Sequence, residues 1–231
     1  MLLFLDTADF NEIEVFSSLI YGVTTTPTII KRDSGLGTDE FMSKIRHDFP
    51  HLEVHVEALA HSADDTVDLI VNSLTKASWY DTDKVVFKVP LSLEGIKAVK
   101  KLRSQAPEVR VNLHMVFSGA QAIMAMHVEP AYIAPLIGRY ADKVAELRSH
   151  GQRSASNDAG LDMLRDVQAV KDSLESRTHI LASSIRSVHD FVHAITIGAD
   201  AVTLPPAIMR DSLEHSMTSE GVALFWQDLK D

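Results

Sequence analysis

Val85-Val86-Phe87-Lys88-Val89-Pro90-Leu91-Ser92-Leu93-Glu94-Gly95 passes from one periodicity into another. Up to Pro90 the pattern is that of a strand: Val85, Phe87 and Val89 share one face, and Val86 and Lys88 share the other. Pro90 ends the strand. Ser92–Gln105 then repeats apolar residues with helical spacing, opened by Ser92 and tolerating Gly95 in its first turn. This is one βα unit, and the chain on either side repeats it.

Upstream, the strands are Leu2–Asp6, Gly22–Thr25 and Leu52–Leu59, and the helices Asp9–Leu19, Asp39–Asp48 and Ser62–Lys76. Downstream come strand Arg110–Phe117, a helix from Ser118 through Met126, strand Ala131–Ile137 and a long polar loop or accessory helix, Tyr140–Asn157. Helix Asp158–Leu174, strand His179–Ile185, helix Ser187–Ile197 and strand Ala201–Leu204 follow, then helices around Ala207–His215 and Ser219–Lys230. Strict βα alternation requires parallel strands joined by crossover helices, and eight units in 231 residues suit a single (β/α)8 TIM barrel with an extra C-terminal helix. A doubly wound open sheet would want a glycine-rich phosphate loop after its first strand, where this chain has Thr7-Ala8-Asp9. No linker divides the chain, so residues 1–231 read as one domain.

Composition narrows the function. With 45% hydrophobic and 23% charged residues the chain can bury one sizeable core. Lys plus Arg at 22 against Asp plus Glu at 32 gives a net charge of −10, which argues against nucleic-acid and anionic-membrane partners. The absence of cysteine excludes disulfides, thiolate metal sites and cysteine nucleophiles. The N-terminal apolar run lacks a basic start and stops at Asp6, so it reads as a strand and not a signal peptide, and a cytoplasmic location is expected. Eleven histidines raise the question of a metal. His51 and His55 would share a strand face, and His189 and His193 a helix face, but neither pair has a third ligand at a recognised spacing; no metal is expected.

Chemistry in such barrels gathers where strands end. Lys88 lies two residues from its strand tip, and a desolvated lysine facing inward there would attack a carbonyl as a free amine. Asp6, ending the first strand, would move protons or hold the amine. Arg139 follows the sixth strand, and Ser184-Ile185-Arg186 ends the seventh; two guanidinium groups and a hydroxyl at the barrel mouth would bind phosphate.

These residues sit in a wider pattern. Leu5-Asp6-Thr7-Ala8, Gly22-Val23-Thr24-Thr25, Val86-Phe87-Lys88-Val89-Pro90, Ala134-Pro135-Leu136-Ile137-Gly138-Arg139, Ala182-Ser183-Ser184-Ile185-Arg186 and Val202-Thr203-Leu204-Pro205 resemble, in order along the chain, the small transaldolase and fructose-6-phosphate aldolase family. The resemblance implies that Lys88 forms a Schiff base with a ketose, that Asp6 handles protons, and that Arg139, Ser184 and Arg186 bind the substrate phosphate. Thr26, Asn112, Ala134 and Leu136 would complete the substrate site, with no cofactor. It implies a phosphorylated ketose donor, an aldose acceptor, and a homo-oligomer, pentamer or decamer, assembled through the C-terminal helix. Leu224, Phe225, Trp226 and Leu229 give that helix an apolar face suited to a neighbour.

The sequence also departs from the family. Thr26 stands where the family has asparagine before Pro27, and Leu136 where transaldolases carry Phe and the aldolases Tyr. His55 and His114 stand where the family's Glu or Gln and Thr hold a catalytic water, Glu57 being a substitute carboxylate two residues along if the alignment is shifted. The two histidines are therefore expected to meet at adjacent strand tips as a proton relay. The expected activity is transfer of a dihydroxyacetone unit between sugar phosphates. Its alternatives are aldol cleavage releasing dihydroxyacetone, or a sugar-phosphate-binding barrel whose catalysis is altered.

Overall fold

Each inward or outward choice along a strand is local, and the barrel follows from repeating it eight times. The computed structural model describes residues 1–149 and 158–229. The strands are β1 (Leu2–Asp6), β2 (Gly22–Thr24), β3 (Glu53–Glu57), β4 (Val85–Pro90), β5 (Arg110–Val116), β6 (Tyr132–Pro135), β7 (His179–Ala182) and β8 (Ala201–Leu204). Each is parallel to the next, and β8 pairs with β1, closing the barrel. The helices are α1 (Phe10–Phe16), α2 (Pro27–Ser34), α3 (Thr38–Asp48), α4 (Ala63–Lys76), α5 (Leu93–Gln105), α6 (Gly119–Met126), α7 (Ile137–Ser149), α8 (Ala159–Ser173), α9 (Val188–Ile197), α10 (Pro206–Asp211) and α11 (Ser216–Asp228).

Alternation divides the buried residues into two cores. Val85, Phe87 and Val89 face the helices together with Val54, Val56, Val111, Leu113 and Ile133, in the layer between barrel and helix ring. Phe4, Val86, Tyr132, Ala134, Leu181 and Ala201 form a second, smaller core inside the barrel. Lys88 has the parity of Val86 and so projects inward. At Gly22 the barrel closes too tightly for any side chain: a Cβ there would lie 2.2 Å from the Glu53 carbonyl oxygen.

One turn chemistry starts four of the eight helices that follow strand tips. Ser62, Ser92, Ser118 and Ser187 each accept a hydrogen bond from the amide three residues on, capping α4, α5, α6 and α9.

Three expectations change. The sequence reading placed no helix after β2, yet α2 begins there, with Pro27 in its first turn and the Thr26 hydroxyl accepting from the Ile29 amide at 3.2 Å. Of the loop or accessory helix expected from Tyr140, the helix forms, as far as Ser149 and continuous with the start of α7; the remainder, 150–157, lies outside the described residues. The strand expected to reach Ile185 stops at Ala182; beyond it Ser183 makes one isolated bridge to Leu136 and Ser184 takes a left-handed backbone, φ 63°. The last helix starts at Ser216, and Lys230 lies outside the described residues. No residue of α11 is buried, and Leu224, Phe225 and Trp226 stand in the open.

Candidate active site

A cavity of about 410 Å³ opens at the C-terminal ends of the strands. Asp6, Thr26, Lys88, Asn112, His114, Ala134, Leu136, Arg139, Ser184 and Arg186 all border it, so ten of the eleven residues singled out from sequence meet in one place. His55 does not.

Lys88 is the centre of the site, at 8% exposure. Its Nζ donates to the Thr25 carbonyl oxygen at 2.8 Å and lies 3.5 Å from Glu57 Oε2. Strand register explains the second contact, since Glu57 on β3 is directly opposite Lys88 on β4. The other Glu57 oxygen sits 2.6 Å from His114 Nε2, off the line of a straight hydrogen bond. Burial by itself pushes the Glu57 carboxyl up, but the His114 contact and the Lys88 charge hold it below its ordinary value.

Across the cavity, Asp6 Oδ1 accepts from the Thr24 hydroxyl at 2.8 Å, and Thr24 lies 2.7 Å from the Thr203 hydroxyl. Thr24 has one proton and gives it to Asp6, so Thr203 donates to Thr24. Burial pushes the Asp6 carboxyl up, against the opposing pull of the Thr24 bond and the Lys88 charge. Its affinity for a proton is therefore raised toward the range of a working general acid or base.

The rim of the cavity is cationic in an acidic protein. The Arg139 amide donates to Ser184 Oγ at 3.1 Å, which joins the start of α7 to the loop after β7. Gly138 permits that approach: a Cβ there would lie 2.0 Å from the Ser184 carbonyl oxygen. Arg186 reaches Asp142 at 3.2 Å, in solvent. Among the described residues nothing pairs with the Arg139 guanidinium. Arg32 of α2 also borders the cavity, paired with Asp33, whose carboxylate is held by the Thr7 hydroxyl and the Ala8 amide.

The expected meeting of His55 and His114 is corrected by the register. His55 is opposite Val86, two residues deeper than Glu57, and its side chain is wholly buried below the cavity. Both its ring nitrogens are engaged, Nε2 with Glu53 at 2.9 Å and Nδ1 with Asn112 Nδ2 at 3.0 Å, so neither is left for His114. Glu57 takes the place assigned to His55. His51 is likewise separated from His55, being exposed ahead of β3. The His189 and His193 rings do meet, tilted by 51° with 4.2 Å between centroids, but among the described residues no group of three or more metal-ligating side chains forms. Arg32, Thr24 and Thr203 were missed from sequence. A basic residue in the second turn of a capped helix would have pointed to Arg32, had α2 been read.

Comparison with known proteins agrees with this geometry. Residues 3–230 match the model of the transaldolase/fructose-6-phosphate aldolase family. The chain belongs to that family. Proteins named probable transaldolase are similar to it over their lengths: that of Chelativorans sp. is 34% identical over 99% of this chain and 96% of its own. That of Ruegeria sp. is 33% identical over 100% and 97%, and that of Mesorhizobium japonicum 31% over 99% and 96%. A solved mandelate oxidase mutant with an FMN adduct shares the fold at TM-score 0.52 and 16% identity, covering 86% of this chain and 59% of its own. As a family member the chain is a transaldolase-type enzyme, and among its described residues no helix is long and apolar enough to cross a membrane.

Proposed function

We propose that this family member is a Schiff-base transaldolase acting on sugar phosphates through Lys88. The carrying observation is the placement of Nζ between Glu57 and the Thr25 carbonyl, at the wall of a cavity whose rim bears Arg139 and Arg186. Nζ, once deprotonated, adds to the ketone of a phosphorylated ketose, and the carbinolamine loses water to give the iminium. The Glu57–His114 contact supplies a carboxylate and an imidazole beside Nζ for those proton transfers. Asp6 then removes the hydroxyl proton β to the iminium carbon, the carbon–carbon bond breaks, and the electron pair passes into an enamine on Lys88. The aldose phosphate leaves. A second aldose is attacked by the enamine, Asp6 returns the proton, and water frees the new ketose from the lysine. Arg139, Arg186 and Ser184 hold the phosphate through both halves.

Borohydride reduction in the presence of fructose 6-phosphate tests the amine. A covalent three-carbon or six-carbon adduct on Lys88 is expected, with adduct and turnover both lost in Lys88→Met; trapping at another lysine would overturn the mechanism.

Leu136 favours transfer over release. It borders the cavity where a tyrosine hydroxyl would place a water, and its side chain offers no hydrogen bond, so the enamine should persist until an acceptor arrives. Transfer to erythrose 4-phosphate should outrun formation of free dihydroxyacetone, and Leu136→Tyr should shift the ratio toward release; dihydroxyacetone as the main product with acceptor present would make the enzyme an aldolase. The open apolar side chains of α11 support assembly of several copies through that helix, which light scattering would test.

A further inference from the structure

His55 is a titratable side chain sealed inside the barrel, at 0% exposure, that the proposed chemistry does not use. Phe4 and Tyr132 hold its ring edge to face, with centroids 4.9 and 4.8 Å away. Its Nε2 lies 2.9 Å from Glu53 Oε1, and the other Glu53 oxygen is in ion-pair contact with Arg110. An ionised carboxylate only accepts, so Nε2 carries a proton. Burial holds the imidazole below its ordinary pKa against the pull of Glu53, so the ring is neutral and Nδ1 is bare.

That bare nitrogen governs Asn112. Asn112 Nδ2 donates to Nδ1 at 3.0 Å. Turned the other way, the amide would set its oxygen against the Nδ1 lone pair. Asn112 Oδ1 is buried and has no partner among the described residues, yet Asn112 borders the cavity, directly opposite Lys88 in the β4–β5 register. A buried carbonyl oxygen without a donor is destabilising, and a ligand hydroxyl would relieve it.

We propose that His55 is a positioning residue: its Nδ1 fixes the Asn112 amide with Oδ1 presented to the cavity beside Lys88, where it accepts a hydrogen bond from a hydroxyl of the bound ketose. The proposal rests on the ketose reading of the site. The charged and titratable groups around the ring are Glu53 on β3, Lys88 on β4, Arg110 on β5 and Tyr132 on β6; Phe4 on β1 and Thr24 on β2 add no charge. Protonation of Nδ1 would demand an acceptor from Asn112, turning its NH₂ toward the substrate.

Two substitutions separate the ring's two bonds. His55→Gln keeps a donor toward Glu53 and loses the acceptor facing Asn112. His55→Asn places an amide oxygen near the Nδ1 position and gives up the Glu53 contact. With fructose 6-phosphate, kcat/KM should fall about ten-fold or more in His55→Gln and return to within about threefold of the parent in His55→Asn. The parent should lose kcat/KM on an acid limb that His55→Asn lacks. Equal losses in both variants, or losses that only follow melting temperature, would make His55 purely structural and overturn the proposal.

A substrate-free measurement stands beside this. Imidazole nitrogen-15 shifts should show His55 protonated at Nε2 and bare at Nδ1 near neutral pH; the opposite tautomer or a charged ring would overturn the proposal directly. Failure to trap a Lys88 adduct in the parent enzyme would overturn the ketose reading and the ligand named here, while the tautomer still decides how Asn112 is oriented.

Discussion

Two carboxylates, each paired with a histidine, hang inside the barrel from the same face of β3, four residues apart, and their surroundings differ. Glu53 and His55 lie in the lower layer at 0% exposure, walled by Phe4 and Tyr132 and charge-balanced by Arg110. Glu57 pairs with His114 one layer higher, where the next cation is Lys88 and where Lys88 and His114 border the cavity. The lower network is satisfied by protein alone, apart from the Asn112 oxygen. The upper one is left with room for a ligand. A buried ion pair is weak evidence of stability and no evidence of catalysis until such space is considered.

Breaking each pair should therefore show in different measurements. Glu57→Gln removes the charge beside Nζ and should lower kcat by about 10²–10⁴-fold, the range of lost acid–base assistance, with a smaller fall in melting temperature than Glu53→Gln because Lys88 and His114 border the cavity. Steady-state kinetics with calorimetry checks both halves. Glu53→Gln leaves Arg110 and His55 without their carboxylate and should cost about 3–5 kcal/mol of stability. Urea unfolding reads that loss; a fully stable variant would mean that the lower network is dispensable.

The rim sharpens the contrast by ligand. Arg139→Ala and Arg186→Ala should weaken phosphorylated sugars by about ten-fold to a hundred-fold and unphosphorylated ones hardly at all, as expected for a lost charge-assisted bond. The smaller loss belongs to Arg186, which is 53% exposed and partly engaged by Asp142. Equal losses for both sugar classes would assign the arginines to structure.

The smallest effect is on stability against pH. Glu53 and Glu57 are held below their ordinary 4.5, and His55 below its ordinary 6.5, so for each the unfolded chain binds protons more readily than the folded one. Stability should fall as pH drops, first on approaching 6.5 and again below 4.5. Asp6, held above 3.8, acts in the opposite sense: its contribution to stability is lost as pH rises through its folded value. Urea midpoints measured across this range should show the first decline flattened in His55→Asn.

Much of this was legible in the sequence. The βα rhythm around Val85–Pro90 set the barrel, the serines before α4, α5, α6 and α9 marked helix starts, and the motifs at Asp6, Lys88, Arg139 and Ser184 lie together as their strand-end positions implied. The helix after Thr26-Pro27 was missed although its cap is written in those two residues. β7 ends short of the left-handed backbone at Ser184, a conformation that a serine in sequence does not announce.

The division at the site itself has a single physical cause. Inward or outward direction alternates residue by residue, so the sequence alone determined that Glu53, His55 and Glu57 share one face of β3 and that Lys88 shares a face of β4 with Val86. Depth along the barrel axis is set by pairing between strands far apart in the chain, and a shift of two residues preserves parity while changing the layer. Only the closed barrel, with Glu57 opposite Lys88 and His55 opposite Val86, decided which carboxylate reaches the amine and which histidine lies beneath it.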